Sequence, residues 1–164
     1  MGLQIPGELR SLLDILGYDW PASDEQKLFE LGRAWVEFSD EVNAFVDSAV
    51  SAATNALTGN EGGDIEAFQT WWDGAESPAA SLASNATGAV VGGAGLIVCA
   101  AIVLALKIAV IVQLAVLAIE IAQAVATAGP TFGASLLEIP VFQALARTIV
   151  GNLMQEAVWR LIDG

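Results

Sequence analysis

A chain of 164 residues with 19 acidic against 6 basic side chains, a net charge of −13, lacks the clustered Lys and Arg that hold phosphates, which excludes nucleic-acid binding. With no histidine and a single cysteine, Cys99, the usual zinc and iron sites, the Ser-His-Asp and Cys-His triads and any intrachain disulfide are gone, so neither a metal nor another cofactor is expected. Hydrophobic residues reach 55% and charged ones only 15%, which implies that part of the chain is hidden from water more thoroughly than in an ordinary soluble domain.

Residues 1–76 hold 15 acids and 3 bases, and residues 77–164 hold 4 acids and 3 bases. The expected organisation follows that division: an acidic helical hairpin region over 1–76 and an apolar long-helix region with a carboxy-terminal helix over 77–164, folding as one cooperative domain. The opening MGLQIPGELR has neither the basic nor the apolar run of a signal peptide, so export would need another route.

In chain order, Pro6 opens a short helix with Leu9, Leu12, Leu13 and Leu16 on one face, and Gly17 ends it. Ser23 and Gln26 have the spacing of a capping box, predicting that a long helix starts at Ser23. Its apolar positions Leu28, Leu31, Trp35, Phe38, Val42 and Phe45, continued by Ala49, Ala52 and Ala56, alternate steps of three and four and predict the hairpin core. Glu30, Glu37, Asp40, Glu41 and Asp47 lie off that seam as a solvated acidic face. Gly59-Asn60-Glu61-Gly62-Gly63 breaks the pattern, and Asp64 can cap a returning helix carrying Ile65, Phe68 and Trp72, so the two seams are expected to meet in an antiparallel pair. Trp35, Trp71 and Trp72 are read as core and rim packing, not as a ligand cage.

Ser77-Pro78 has the form of a cap and first turn, and the run that follows carries only Lys107 and Glu120 as charges before Glu138. Gly88 to Ala128 is about twice as long as one membrane span needs. A split near Lys107 gives two spans, although Leu106-Lys107-Ile108 holds no turn-forming residue. Small residues at four-residue intervals, beginning with Gly88 and Gly92, let helices approach closely. Gln113, Glu120, Gln123 and Thr127 share one side as a narrow polar seam that could line an oligomeric pore or reach the surface of a bundle. Lys107 lies off that seam, so no pair with Glu120 within one helix is expected. Gly129-Pro130 ends the run, and Pro140 starts a last helix with Phe142, Leu145, Ile149, Leu153 and Ala157 on one face. Cys99 reads as a small buried hydrophobe. The fold class is therefore all-α. Only isolated carboxylates remain for acid and base work, so no enzymatic activity is expected.

The turn Asn60-Glu61-Gly62, followed by Glu66-Ala67-Phe68-Gln69, resembles the WXG family of ESAT-like helical hairpins exported by actinobacterial type VII (ESX) secretion, with Asn60 in the tryptophan position. The match extends over nearly the whole chain to the WXG-like leader domains of type VII-secreted polymorphic toxins. GLQIPGELRSLLDILGYDWP, GLIVCAAIVLALKIAVIVQLAVLAIEIAQA and TFGASLLEIP carry that resemblance. By domain type it is also similar to the channel-type amino-terminal half of a mycobacterial necrotizing toxin. The resemblance implies a non-catalytic leader or translocation domain that exports a carboxy-terminal effector, secreted without a signal peptide. Asn60, Gly62, Phe68 and Trp72 would form its turn motif, and Trp159 and Asp163 stand where the family has its Tyr-x-x-x-Asp/Glu export signal. Expected partners are the secretion machinery or a helical protein, further copies of the chain and a membrane. A membrane-inserting pore module and a self-assembling structural homo-oligomer are the rival readings.

Overall fold

The computed structural model describes residues 2–163, the side chain of Asp163 excepted. Five α-helices follow in order, α1 (Gly7–Leu16), α2 (Glu25–Leu57), α3 (Gly63–Trp72), α4 (Pro78–Ala126) and α5 (Ile139–Asp163), with a 3-10 segment, Ala134–Glu138, before the last. No strand occurs among the described residues, and the fold is all-α as expected.

Local chemistry fixes the helix ends. Gly17 closes α1 in the left-handed conformation and returns its N–H to the Asp14 carbonyl. The start of α2 corrects the capping expectation: the Lys27 N–H donates to Asp24 Oδ1 at 3.2 Å, so Asp24 is the cap and the helix begins one residue later than Ser23 would place it. Ser77 does cap α4, its Oγ accepting the Ala80 N–H at 3.2 Å. From there α4 runs for 49 residues, passing Lys107 without a break. It stops just short of Gly129-Pro130, where the buried Ser135 hydroxyl donates to the Ala124 carbonyl at 2.7 Å and satisfies one of the helix's last acceptors.

Two compact units form, with boundaries inside α2 and inside α4. One unit joins the residues up to Lys27 with those from Cys99 onward, and the other is Leu28–Val98. In the first unit, Leu13 and Leu16 of α1, Val110, Leu114 and Leu117 of α4, and Ala146 and Val150 of α5 make one core. Each of the fully buried leucines contributes about 1.5–3 kcal/mol of apolar burial. Along α4 the buried positions Ala100, Val103, Lys107, Val110, Leu114 and Leu117 step by three and four, the spacing of a coiled-coil seam. The buried face of α5 includes Ala146 and Val150, while Leu145, expected inside, is exposed. Tyr18 and Arg147 tie α1 to α5: Arg147 Nε donates to the Leu16 carbonyl at 2.8 Å and Tyr18 Oη donates to the Arg147 carbonyl at 3.2 Å.

In the second unit α2 lies against the first half of α4. A Cβ built on Gly32 would stand 2.7 Å from the Gly93 carbonyl oxygen, and one on Gly93 would stand 2.7 Å from that of Gly32, so the two backbones touch where only glycine fits. Gly32, Ser39 and Ala53 of α2 and Ala79, Ala86, Ala89 and Gly93 of α4 are the buried positions around this crossing. The result corrects the hairpin core. Leu28 and Val42 are half-buried, but Leu31, Trp35, Phe38 and Phe45 are 50%, 45%, 51% and 66% exposed. The buried stripe runs one position later because small residues let helices approach to backbone contact, which a Trp or Phe in that place would prevent. Gly88 and Gly92, expected at a close approach, face open space, and Gly93 makes it instead. Helix α3 has no buried residue, and its rings pack on one another, Phe68 stacked on Trp72 at 5.9 Å and tilted against Trp71 at 6.0 Å between centroids.

Candidate functional site

Lys107 is placed by α4 at a seam position between Val103 and Val110 and is left only 1% exposed. An ammonium there must find acceptors, since an isolated buried charge is prohibitively costly. Its Nζ donates to Glu25 Oε2 at 2.7 Å and to the Ser23 carbonyl at 2.6 Å, and it stands 5.7 Å from the centre of the Trp20 ring. Glu25 is buried as well and also accepts the Leu3 N–H, while a Cβ on Gly2 would collide with its carboxylate. Burial pulls the Glu25 carboxyl upward, and the hydrogen bonds from Lys107 and from the backbone outweigh it, so its pKa lies below the ordinary carboxylate value. The Asp24 carboxyl is also lowered, chiefly by the Lys27 N–H it accepts. This ion pair latches the amino-terminal segment to the middle of α4.

Away from the core, much of the surface of α4 is apolar. Ala101, Ala105, Ile108, Val112, Ile119, Ala122 and Ala126 are exposed and carry no polar atom beyond the backbone. Gln113 and Glu120 of the expected polar seam are half-buried on a flank, whereas Gln123 and Thr127 are exposed, the Thr127 hydroxyl donating to the Gln123 carbonyl at 2.9 Å. By length and composition both α4 and the stretch Ala134–Ile162 could cross a membrane. The turn that joins them presents a fully exposed Phe132, in the left-handed backbone region, and an exposed Leu137. Cys99 is partly exposed, not buried as expected. Among the described residues no cluster of three potential metal ligands forms.

On α2 the stripe displaced from the core, Leu31, Trp35, Phe38 and Phe45, faces outward, with Trp35 and Phe38 in edge-to-face contact at 6.1 Å. A shallow hollow lies among Leu31, Ala34, Trp35 and Phe38. Of the turn-motif residues, Asn60 Nδ2 donates to the Ala56 carbonyl at 2.8 Å at the end of α2, and Gly62 takes φ 130°, open to glycine alone, to start α3. Phe68 and Trp72 follow on α3. Trp159 is exposed near the end of α5, while the side chain of Asp163, its companion in the expected export signal, lies outside the described residues.

A model of the WXG100 like domain matches residues 6–149. The chain belongs to the WXG100-like family. No curated protein and no solved structure matches it. WXG100-like membership makes it a type VII secretion-related helical protein, a class exported without a signal peptide, and the match takes in α1 to α4 and part of α5. The latch is not legible in the helix-start pattern, where Ser23 and Gln26 alone stand out. Its signal was nonetheless present: a lone lysine in an otherwise apolar run requires a distant carboxylate, and Glu25 is one of two acids beside the helix start nearest to a Trp-Pro turn.

Proposed function

We propose that this WXG100-like domain is a non-catalytic leader of a type VII-secreted toxin of the actinobacterial kind, serving the export and membrane passage of an effector joined to it. The apolar outer face of α4 carries this reading: the helix keeps one face for α1 and α5 and leaves Ile108, Val112 and Ile119 in water, which is wasteful unless another surface covers them. Membrane passage would use α4 and α5 as the two apolar arms with Phe132 and Leu137 at the leading turn, a better hairpin than any split of α4 at Lys107. Self-association through the same face is the competing use, and Glu120 and Gln113 are then the polar groups at its margin. Expression of the chain with a carboxy-terminal reporter in a type VII-competent bacterium tests the reading. Export that depends on the secretion system, and its loss when residues 159–163 are removed, is expected. Secretion independent of the system would overturn the leader assignment.

A further inference from the structure

We infer that the segment ahead of α2 is a strap that holds the α4 and α5 hairpin out of the membrane and must leave it before the hairpin inserts. The inference rests on the proposed membrane passage and goes beyond it by naming what restrains it. The strap lies across the middle of both arms: Leu13 and Leu16 of α1 share one core with Val110, Leu114 and Leu117 of α4 and with Ala146 and Val150 of α5. Polar fastenings flank that contact. Arg147 and Tyr18 join the end of α1 to α5, and Lys107 holds Glu25 and the Ser23 carbonyl to α4.

The hairpin cannot carry this load into hydrocarbon. Helix α1 shows Glu8, Arg10 and Asp14 to water, the exposed Asp19 follows, and residues 18–24 are non-helical backbone whose N–H and C=O groups a lipid core cannot satisfy. Lys107 marks where a span begins. Residues 108–126 make about 28 Å of helix, close to the roughly 30 Å of a bilayer's hydrocarbon. Between Lys107 and Glu156 the two helices hold only Glu120 and Arg147, which are of opposite sign. With the strap gone, Lys107 stands at the interface away from the Phe132 turn, where an ammonium reaches water along its own stem. The residue that fastens the strap in water is therefore the one that bounds the span in lipid, and the two uses exclude each other.

The full chain with Cys99→Ser is spin-labelled at exposed positions, so that the core is kept. Asp19→Cys with Thr148→Cys reports the strap, because the neighbouring Tyr18 and Arg147 are hydrogen-bonded to each other, and Val112→Cys alone reports depth in the bilayer. On addition of phosphatidylcholine vesicles the short spin–spin distance of the pair is expected to be lost, and the label at position 112 to meet oxygen dissolved in the lipid. Glu25→Gln should speed both changes by about tenfold or more. Gly93→Ala, which disturbs the other unit, should leave both rates unchanged. A label at position 112 that enters lipid while the pair keeps its short distance overturns the strap and leaves the membrane reading standing. No lipid contact at position 112, with or without Glu25→Gln, overturns the membrane reading and the strap with it. Equal acceleration by Glu25→Gln and Gly93→Ala would show a general loosening in place of a catch, and also overturns the proposal.

Discussion

Lys107 and Glu25 together illustrate what a buried ion pair does and does not contribute. Replacing Lys107 by Ala strands the Glu25 carboxylate among apolar neighbours and should cost about 3–5 kcal/mol, read as a lowered thermal midpoint, whereas Lys107→Met with Glu25→Leu should be neutral or stabilising by about 1–4 kcal/mol. A double variant as damaged as the single one would mean that the pair itself, not the stranded charge, supports the fold. The pH dependence has a defined sign. Because the Glu25 pKa is lowered on folding, its contribution is complete above the ordinary value of about 4.3 and is lost as pH falls through the lower folded value. The gap in midpoint between the native chain and Glu25→Gln should therefore be constant from neutral pH down to about 4.5 and should close below it. A gap that opens on acidification would contradict the geometry around Leu3, Ser23 and Lys107.

Helix pairing explains both what could be read in advance and what could not. The ends of α1 and α4 were legible because Gly17, Ser77-Pro78 and Gly129-Pro130 act through local backbone chemistry. The core face of α2 was not, because this helix carries two stripes one residue apart, and periodicity favours the bulkier. Gly32 and Ser39 look like breaks in an aromatic seam until α4 is known to lie against this helix, touching Gly32 at Gly93. The same hidden partner moved the cap from Ser23 to Asp24, since the Ser23 carbonyl is engaged by Lys107. Gly32→Ala or Gly93→Ala should force the two helices apart and destabilise by about 1–3 kcal/mol. Gly88→Ala, which meets nothing, should instead stabilise by up to about 1 kcal/mol through helix propensity. Thermal melts of the three variants separate the cases, and equal shifts would remove the backbone contact from the account.

For the molecule entire, α4 divides its apolar surface between an inner use and an outer one, and two positions test the division with the same substitution. Val110 is fully buried in the core with Leu13 and Val150, so Val110→Glu should abolish the cooperative melt, whereas Val112, 56% exposed, should tolerate Glu without loss of stability. Flotation with zwitterionic liposomes should recover the native chain and leave Val112→Glu behind. Undiminished flotation of Val112→Glu would show that the outer face is not the membrane surface. The two units also differ in how much of the chain must be present before they can close. Leu28–Val98 is continuous, but the unit that holds the latch joins residues up to Lys27 with those beyond Cys99, and its ion pair spans 82 positions. Long-separation contacts pay their loop entropy before they are rewarded. A chain emerging amino terminus first, from a ribosome or from a secretion channel, can therefore complete its middle while its first residues still wait for Lys107. Folding has a fixed order along the direction of travel, and the ends are the last to be joined.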